Sequence, residues 1–238
     1  MKQISALLSA AMLVLLVACN NNEPAKEETK TTANTTATAK PTEPPAFQPY
    51  TIVTVQHKVK DFDKWLPVYV ADDSARKANG LTEIGIGRGL DNNNEIIVAF
   101  KADDIQKAKD FTKSPNLKTA MQKAGVTGPP TISYLTVIRD DNSNIEQKDR
   151  LMVAHHVKDF DAWLKVYDNE GKATRAANGL IDRGLARGVD DPNTVYVLFA
   201  VTDIAKAKAR TNSPELKKLM TDAGVDGPPA INFYKLTK

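Results

Sequence analysis

Two repeat-related histidines and two repeat-related arginines are the residues of this 238-residue chain whose types and spacing could do chemistry. His57 and His155 stand in equivalent places in two similar stretches, HKVKDFDKWLPVY (57–69) and HHVKDFDAWLKVY (155–167). An imidazole titrates near neutrality, so either could serve as a general acid or base or as a ligand contact, and their equivalent placement could aim both into one cavity. The alternative reading is a half-buried histidine hydrogen-bonded within a sheet, among Val53, Val55 and Val59. Arg88 and Arg187 also match between the two stretches, and a guanidinium can hold a carboxylate or phosphate. Ion pairing to Asp61, Asp91 or their counterparts, or plain solvent exposure, is the competing expectation.

Other chemistry is poorly supplied. His155 and His156 are neighbours on an extended stretch, so their side chains leave opposite faces and should not share one ion. No His-x-His, His-x-x-x-His or cysteine pair occurs, and the sequence implies no metal. A Gly-rich phosphate loop, a G-x-S-x-G elbow and a recognisable Ser/His/Asp set are also missing, so no cofactor is implied. The near-balance of 32 Lys+Arg against 29 Asp+Glu argues against a dedicated nucleic-acid binder. Lys107, Lys109 and Lys113 alternate with Ala and Asp as on a solvated helix face.

The elements that must position these residues read alike in both stretches. Thr51–Val59 alternates, with Val53, Val55, His57 and Val59 on one side, and predicts a strand. Asp61 suits a helix N-cap; Phe62, Trp65, Leu66 and Tyr69 then recur at helical spacing toward the Asn79-Gly80 stop. Trp65 and Tyr69, repeated as Trp163 and Tyr167, read first as a packing face and second as an aromatic ligand wall. Leu81–Leu90 and Glu95–Lys101 form a predicted hairpin around Asp91–Asn94. Its first strand carries Gly85, Gly87 and Gly89, a row that implies close approach by a helix or a ligand. Asp103–Phe111 reads as helix. Ser114-Pro115 caps another that ends at Gly125. Gly128-Pro129-Pro130 leads into a fourth strand over Thr131–Ile138.

This β-α-β-β-α-β order occurs twice, because Val55–Tyr134 aligns with Val153–Phe233 with one inserted residue between Tyr167 and Arg175. About half of the paired positions are identical, including ANGL and the pair SPNLKTAMQKAGVTGPP and SPELKKLMTDAGVDGPP. The arrangement is ferredoxin-like, an α+β fold. The opening H-x-V-x-D-F-x-x-W, the internal R-G-x-D and the S-P-x-L…A-G-V-x-G-P-P ending resemble the dimeric α+β barrel superfamily, which includes antibiotic-biosynthesis-monooxygenase-like and cyclase-like small proteins. The resemblance implies two sheets joined in a barrel with helices outside, here from one chain. It also implies either a binding protein for a small, partly apolar ligand or a cofactor-independent monooxygenase or cyclase. An envelope interaction module with a filled barrel is the third expectation.

The N-terminus supplies an address. Residues 1–18 hold one lysine followed by an uncharged apolar run too short for a permanent span, the pattern of a secretory signal. Leu16-Val17-Ala18-Cys19 resembles the lipobox of bacterial lipoproteins, in which the signal is cut before a cysteine that is lipidated. The other reading is an incidental thiol in an ordinary signal peptide. Residues 20–50, rich in Thr, Asn, Lys, Glu and Pro, are expected to form a disordered tether of roughly 30 Å reach. Losing Lys2 with the signal lowers the formal charge from +3 to +2. The expected layout is therefore signal 1–18, lipidated Cys19 and tether 19–50, first repeat 51–138, linker 139–149 and second repeat 150–238. The expected place is a bacterial envelope, lipid-anchored and extracytoplasmic.

Overall fold

The computed structural model describes residues 46–237; the expected signal, Cys19 and most of the expected tether lie outside them. The first repeat runs β1 (Tyr50–Val59), α1 (Phe62–Ala71), α2 (Asp73–Ala78), β2 (Leu81–Gly89), β3 (Glu95–Ala102), α3 (Ile105–Thr112), α4 (Pro115–Lys123) and β4 (Val126–Asp140). The second runs β5 (Asp149–Val157), α5 (Phe160–Ala177), β6 (Leu180–Gly188), β7 (Thr194–Val201), α6 (Ile204–Thr211), α7 (Pro214–Asp222) and β8 (Val225–Leu236). The expected element order thus holds in both copies.

Local chemistry explains the boundaries. Asp61, Asp104, Asp159 and Asp203 turn their carboxylates onto the first backbone N–H groups of their helices, and Ser114 and Ser213 do so ahead of a proline. The helix expected from Asp61 to Asn79 breaks in two at Asp72, whereas its counterpart bends at Gly171, where φ is +79°. β4 begins earlier than expected. The pairing jumps from Gln56↔Thr131 to Lys58↔Thr127, so Gly128, Pro129 and Pro130 sit in a bulge where the prolines need donate nothing.

All strand pairs are antiparallel, and the eight strands close in the order β1-β3-β2-β8-β5-β7-β6-β4. Each repeat contributes four strands. Two seams join them: β2 with β8 over Gly87–Gly89, and β4 with β6 from Leu135 to Asp140. Strand alternation sends one set of side chains to the helices and the other to the barrel lumen. Two apolar cores fill the helix–sheet layers, one around Val53, Ile86 and Trp65, the other around Leu151, Val195 and Trp163.

The glycine row of β2 does meet a close approach, but from a side chain across the seam. A Cβ on Gly87 would stand 2.8 Å from Tyr234 Cε2 and 2.9 Å from Ile97 Cγ2, so Tyr234 lies where that methyl would go. At the other seam Ala186 carries the methyl and Leu135 replaces the tyrosine.

Lys109 corrects the solvated-face expectation. It crosses between repeats to pair with Asp190, its side chain only 18% exposed, while its counterpart Lys208 meets Asp91 at 3.0 Å.

Candidate functional site

The helix side of each half-barrel holds one small cavity. In the first repeat, His57 projects from β1 toward Trp65 of α1, with ring centroids 5.5 Å apart; in the second, His155 and Trp163 stand 5.4 Å apart. The two histidines therefore line separate cavities, of about 70 and about 90 Å³, and do not share one. Trp65 stacks on Tyr69 at 4.7 Å, and Trp163 on Tyr167 at 5.2 Å. These indoles are both core and cavity wall. Met121 and Met220 close the cavities from α4 and α7.

The histidines are buried, each 8% exposed, and neither ring nitrogen of either finds a hydrogen-bond partner among the described residues. The expected hydrogen bond within the sheet is not made. Desolvation holds both imidazoles neutral, lowering their pKa from 6.5 to about 4. A neutral imidazole has one donor and one acceptor, and a buried one without partners is a polar group awaiting company.

Sequence reasoning missed Arg76 and Arg175, both 5% exposed. Arg76 lies 3.9 Å over the Tyr69 ring and donates to the Tyr69 carbonyl at 2.7 Å. Its Nε has no partner among the described residues. Arg175 repeats the stack at 4.0 Å over Tyr167 and adds a bidentate pair with Asp182 at 2.8 and 2.7 Å. The signal was present: each arginine stands three residues before the shared Asn-Gly-Leu. The sites differ at one wall, where Phe111 of the first is matched by Arg210 in the second, bonded to Glu170 at 2.6 Å.

Arg88 and Arg187 fall outside both cavities. Their Nε atoms donate to the carbonyls of Asn93 and Pro192, and their guanidiniums stack at 4.0 and 3.8 Å on Phe62 and Phe160. Asp91, the expected partner, is engaged by Lys208. The pair fastens each hairpin turn to the start of a helix. His156 is on the opposite face from His155, as strand alternation requires, between Asp191 at 3.6 Å and Asp226 at 3.8 Å.

Neither a scan against protein-family models nor a search of curated proteins returned a match. Solved structures do match. A candidate monooxygenase from Lactobacillus acidophilus is 13% identical, with a TM-score of 0.51 over 79% of this chain and 95% of that one. One from Fusobacterium nucleatum has the same identity and TM-score over 79% and 93%. An anthrone oxidase-like protein is 12% identical, with a TM-score of 0.53 over 79% and 92%. The ferredoxin-like α+β barrel is thus a fold shared with these structures. At such identities the likeness is one of fold, and the site must speak for the function.

Proposed function

We propose that the barrel is a binding module for small, partly apolar molecules of about single-ring size, with two equivalent sites per chain. The observation that carries this is the buried, unpartnered, neutral imidazole facing a stacked indole in both repeats. A ligand hydroxyl or carbonyl would take the imidazole's free nitrogen while its ring lies along Trp65 or Trp163. The cavities are smaller than the roughly 150 Å³ known to admit benzene, so such a ligand must displace the flexible Met121 or Met220. In the same proposal, repeats 51–138 and 150–238 hang from a lipidated Cys19 by the tether in a bacterial cell envelope, extracytoplasmic, facing the periplasm or on the outer membrane. Multiple acyl chains, each buried methylene adding about 0.8 kcal/mol, suit a durable anchor.

Calorimetric titration of the full chain with phenol or 1-naphthol tests the binding reading. Two sites per chain, weakened in His57→Phe and His155→Phe, support it; no saturable heat with either probe refutes it. Labelling with radioactive palmitate tests the anchor, which predicts loss of label in Cys19→Ala.

An enzymatic reading takes second place. Shared fold with candidate monooxygenases and an imidazole open to a cavity favour oxygen activation by a bound phenolic substrate. A pKa near 4 makes that imidazole a weak base in the empty site, which favours binding. Oxygen uptake with hydroquinones, abolished in the His57→Phe, His155→Phe variant, would reverse the order. The third expectation, a barrel filled by Ile, Val and Phe, loses its footing because the lumen contains a large cavity.

A further inference from the structure

A large cavity lies in the barrel lumen, about 500 Å³, within the roughly 300–1,000 Å³ typical of ligand pockets. It opens at the end where β1 and β5 begin, beside the exposed Ile84 and Lys101. Ile52, Leu135 and Val137 line it toward that end, and Ile97, Met152 and Leu198 lie deeper. Three cations border it: Lys101, Arg150 and Arg183.

Those charges are not equally engaged. Arg183 meets Asp141 at 3.4 Å and Ser143 at 3.1 Å, and the nearby Asp140 accepts the Tyr50 hydroxyl at 2.6 Å. Lys101 sits 5.5 Å from the Tyr50 ring and pairs with no carboxylate among the described residues. Arg150 is the anomaly. It is 9% exposed, and only its Nη1 is bonded, to the carbonyls of Gln147 and Asp149 at 2.6 and 3.0 Å. No carboxylate among the described residues lies within ion-pair distance, and desolvation pulls its pKa below the ordinary guanidinium value. Asp149 acts on it only from beyond that distance, and a buried charge so weakly countered is costly unless something else supplies a partner.

The lumen has also departed from the symmetry that the helix-layer cavities keep. Arg150 is matched by Ile52 in the first repeat, Lys101 by Ala200, Leu198 by Ala99 and Tyr234 by Leu135. His, Trp, Tyr and Arg recur in both helix-layer sites. The lumen is therefore a single composite site with its unpaired cations at one end and an apolar interior.

We propose that the lumen binds one small amphipathic carboxylate per chain, its anionic group on Arg150 near the mouth and its apolar body inward along Met152, Leu198 and Ile97. The free Nε and Nη2 edge offers a carboxylate the two parallel donors it prefers. This site is independent of the helix-layer reading and stands if that reading fails.

The test is calorimetric titration of the purified full chain with decanoate, a lipid-derived acid, and with 3-phenylpropionate, an aromatic one. One saturable site per chain is expected with at least one of them; whichever binds more tightly identifies the source. Arg150→Ile, which borrows the residue of the other repeat, should weaken binding at least tenfold while leaving the circular dichroism spectrum intact. Ala99→Leu, borrowed the same way, narrows the lumen without touching Arg150 and should also weaken it. Absence of saturable binding by both acids to folded protein would overturn the proposal. So would undiminished affinity in folded Arg150→Ile, or two equal sites per chain. If Arg150→Ile fails to fold, Arg150→Lys with Ala99→Leu decides: unchanged affinity in both refutes it.

Discussion

Acid should unfold this protein through its two buried histidines. Each is held neutral with a pKa of about 4, against 6.5 for an exposed imidazole. A histidine whose folded pKa is depressed favours the folded state above the unfolded value and loses that contribution as pH falls. Between pH 6.5 and 4 the unfolded chain binds protons that the folded chain refuses. At about 1.36 kcal/mol per pKa unit, each histidine costs about 2 kcal/mol by pH 5 and about 3 kcal/mol by pH 4. Together they approach the whole stability of an ordinary domain. Carboxyls such as Asp168, held low by hydrogen bonds from Arg139, lose their contribution only as pH drops below the ordinary carboxylate value of 3.8, so the window is nearly clear of them. The assay is urea denaturation at half-unit pH steps, read by fluorescence of Trp65 and Trp163, the chain's two tryptophans. His57→Phe or His155→Phe should remove about half of the slope between pH 6.5 and 4.5, and the double variant should flatten it. An unchanged slope in the double variant would refute the reasoning.

Gly87→Ala should destabilise by about 1–3 kcal/mol, since its methyl meets Tyr234 and Ile97; adding Tyr234→Leu, which copies the Ala186 and Leu135 seam, should recover most of that in a double-mutant cycle. Arg210→Phe should make the second helix-layer cavity resemble the first, raising its affinity for 1-naphthol relative to phenol in calorimetry, with Glu170 still held by Arg175 at 3.3 Å. Lys208→Met breaks a pair whose side chains are 42% and 82% exposed, so the loss in urea midpoint should correspond to less than about 1 kcal/mol and vanish in high salt. Arg88→Ala should loosen the Asn93 turn and expose Phe62 without altering ligand affinity; a change in affinity would bring that arginine back into the binding site.

Much of the fold was legible because the duplication let every weak signal be read twice. The capping Asp61 and Asp159, the Ser-Pro helix starts and the hairpin around Asp91 all follow from local chemistry that neighbours do not override. The histidine side of β1 was also readable, with Val53, Val55 and Val59 on the same face. What that face looks at was not, since both surfaces of a barrel strand are covered and alternation alone cannot separate lumen from helix layer. Arg76 was hidden because an arginine late in a helix ordinarily points to water; the Tyr69 ring beneath it, the Tyr69 carbonyl and Asp73 at 3.5 Å make burial tolerable. Lys109 was misread likewise, because its partner Asp190 belongs to the other repeat and nothing local announces it. Arg150 escaped notice at the edge of a polar linker, although its twin, Ile52, lies on an ordinary strand.

The stretch of residues 141–148 that carries the chain from β4 into β5 has a kinetic meaning beyond connectivity. Two separate chains forming such a barrel would meet by collision, and dilution would pull them apart. A short covalent connection holds one half at roughly millimolar local concentration around the other. Closure of both seams becomes a first-order event, with a rate and melting temperature indifferent to how much protein is present. If the proposed anchor holds, the barrel stays whole however few copies share a membrane.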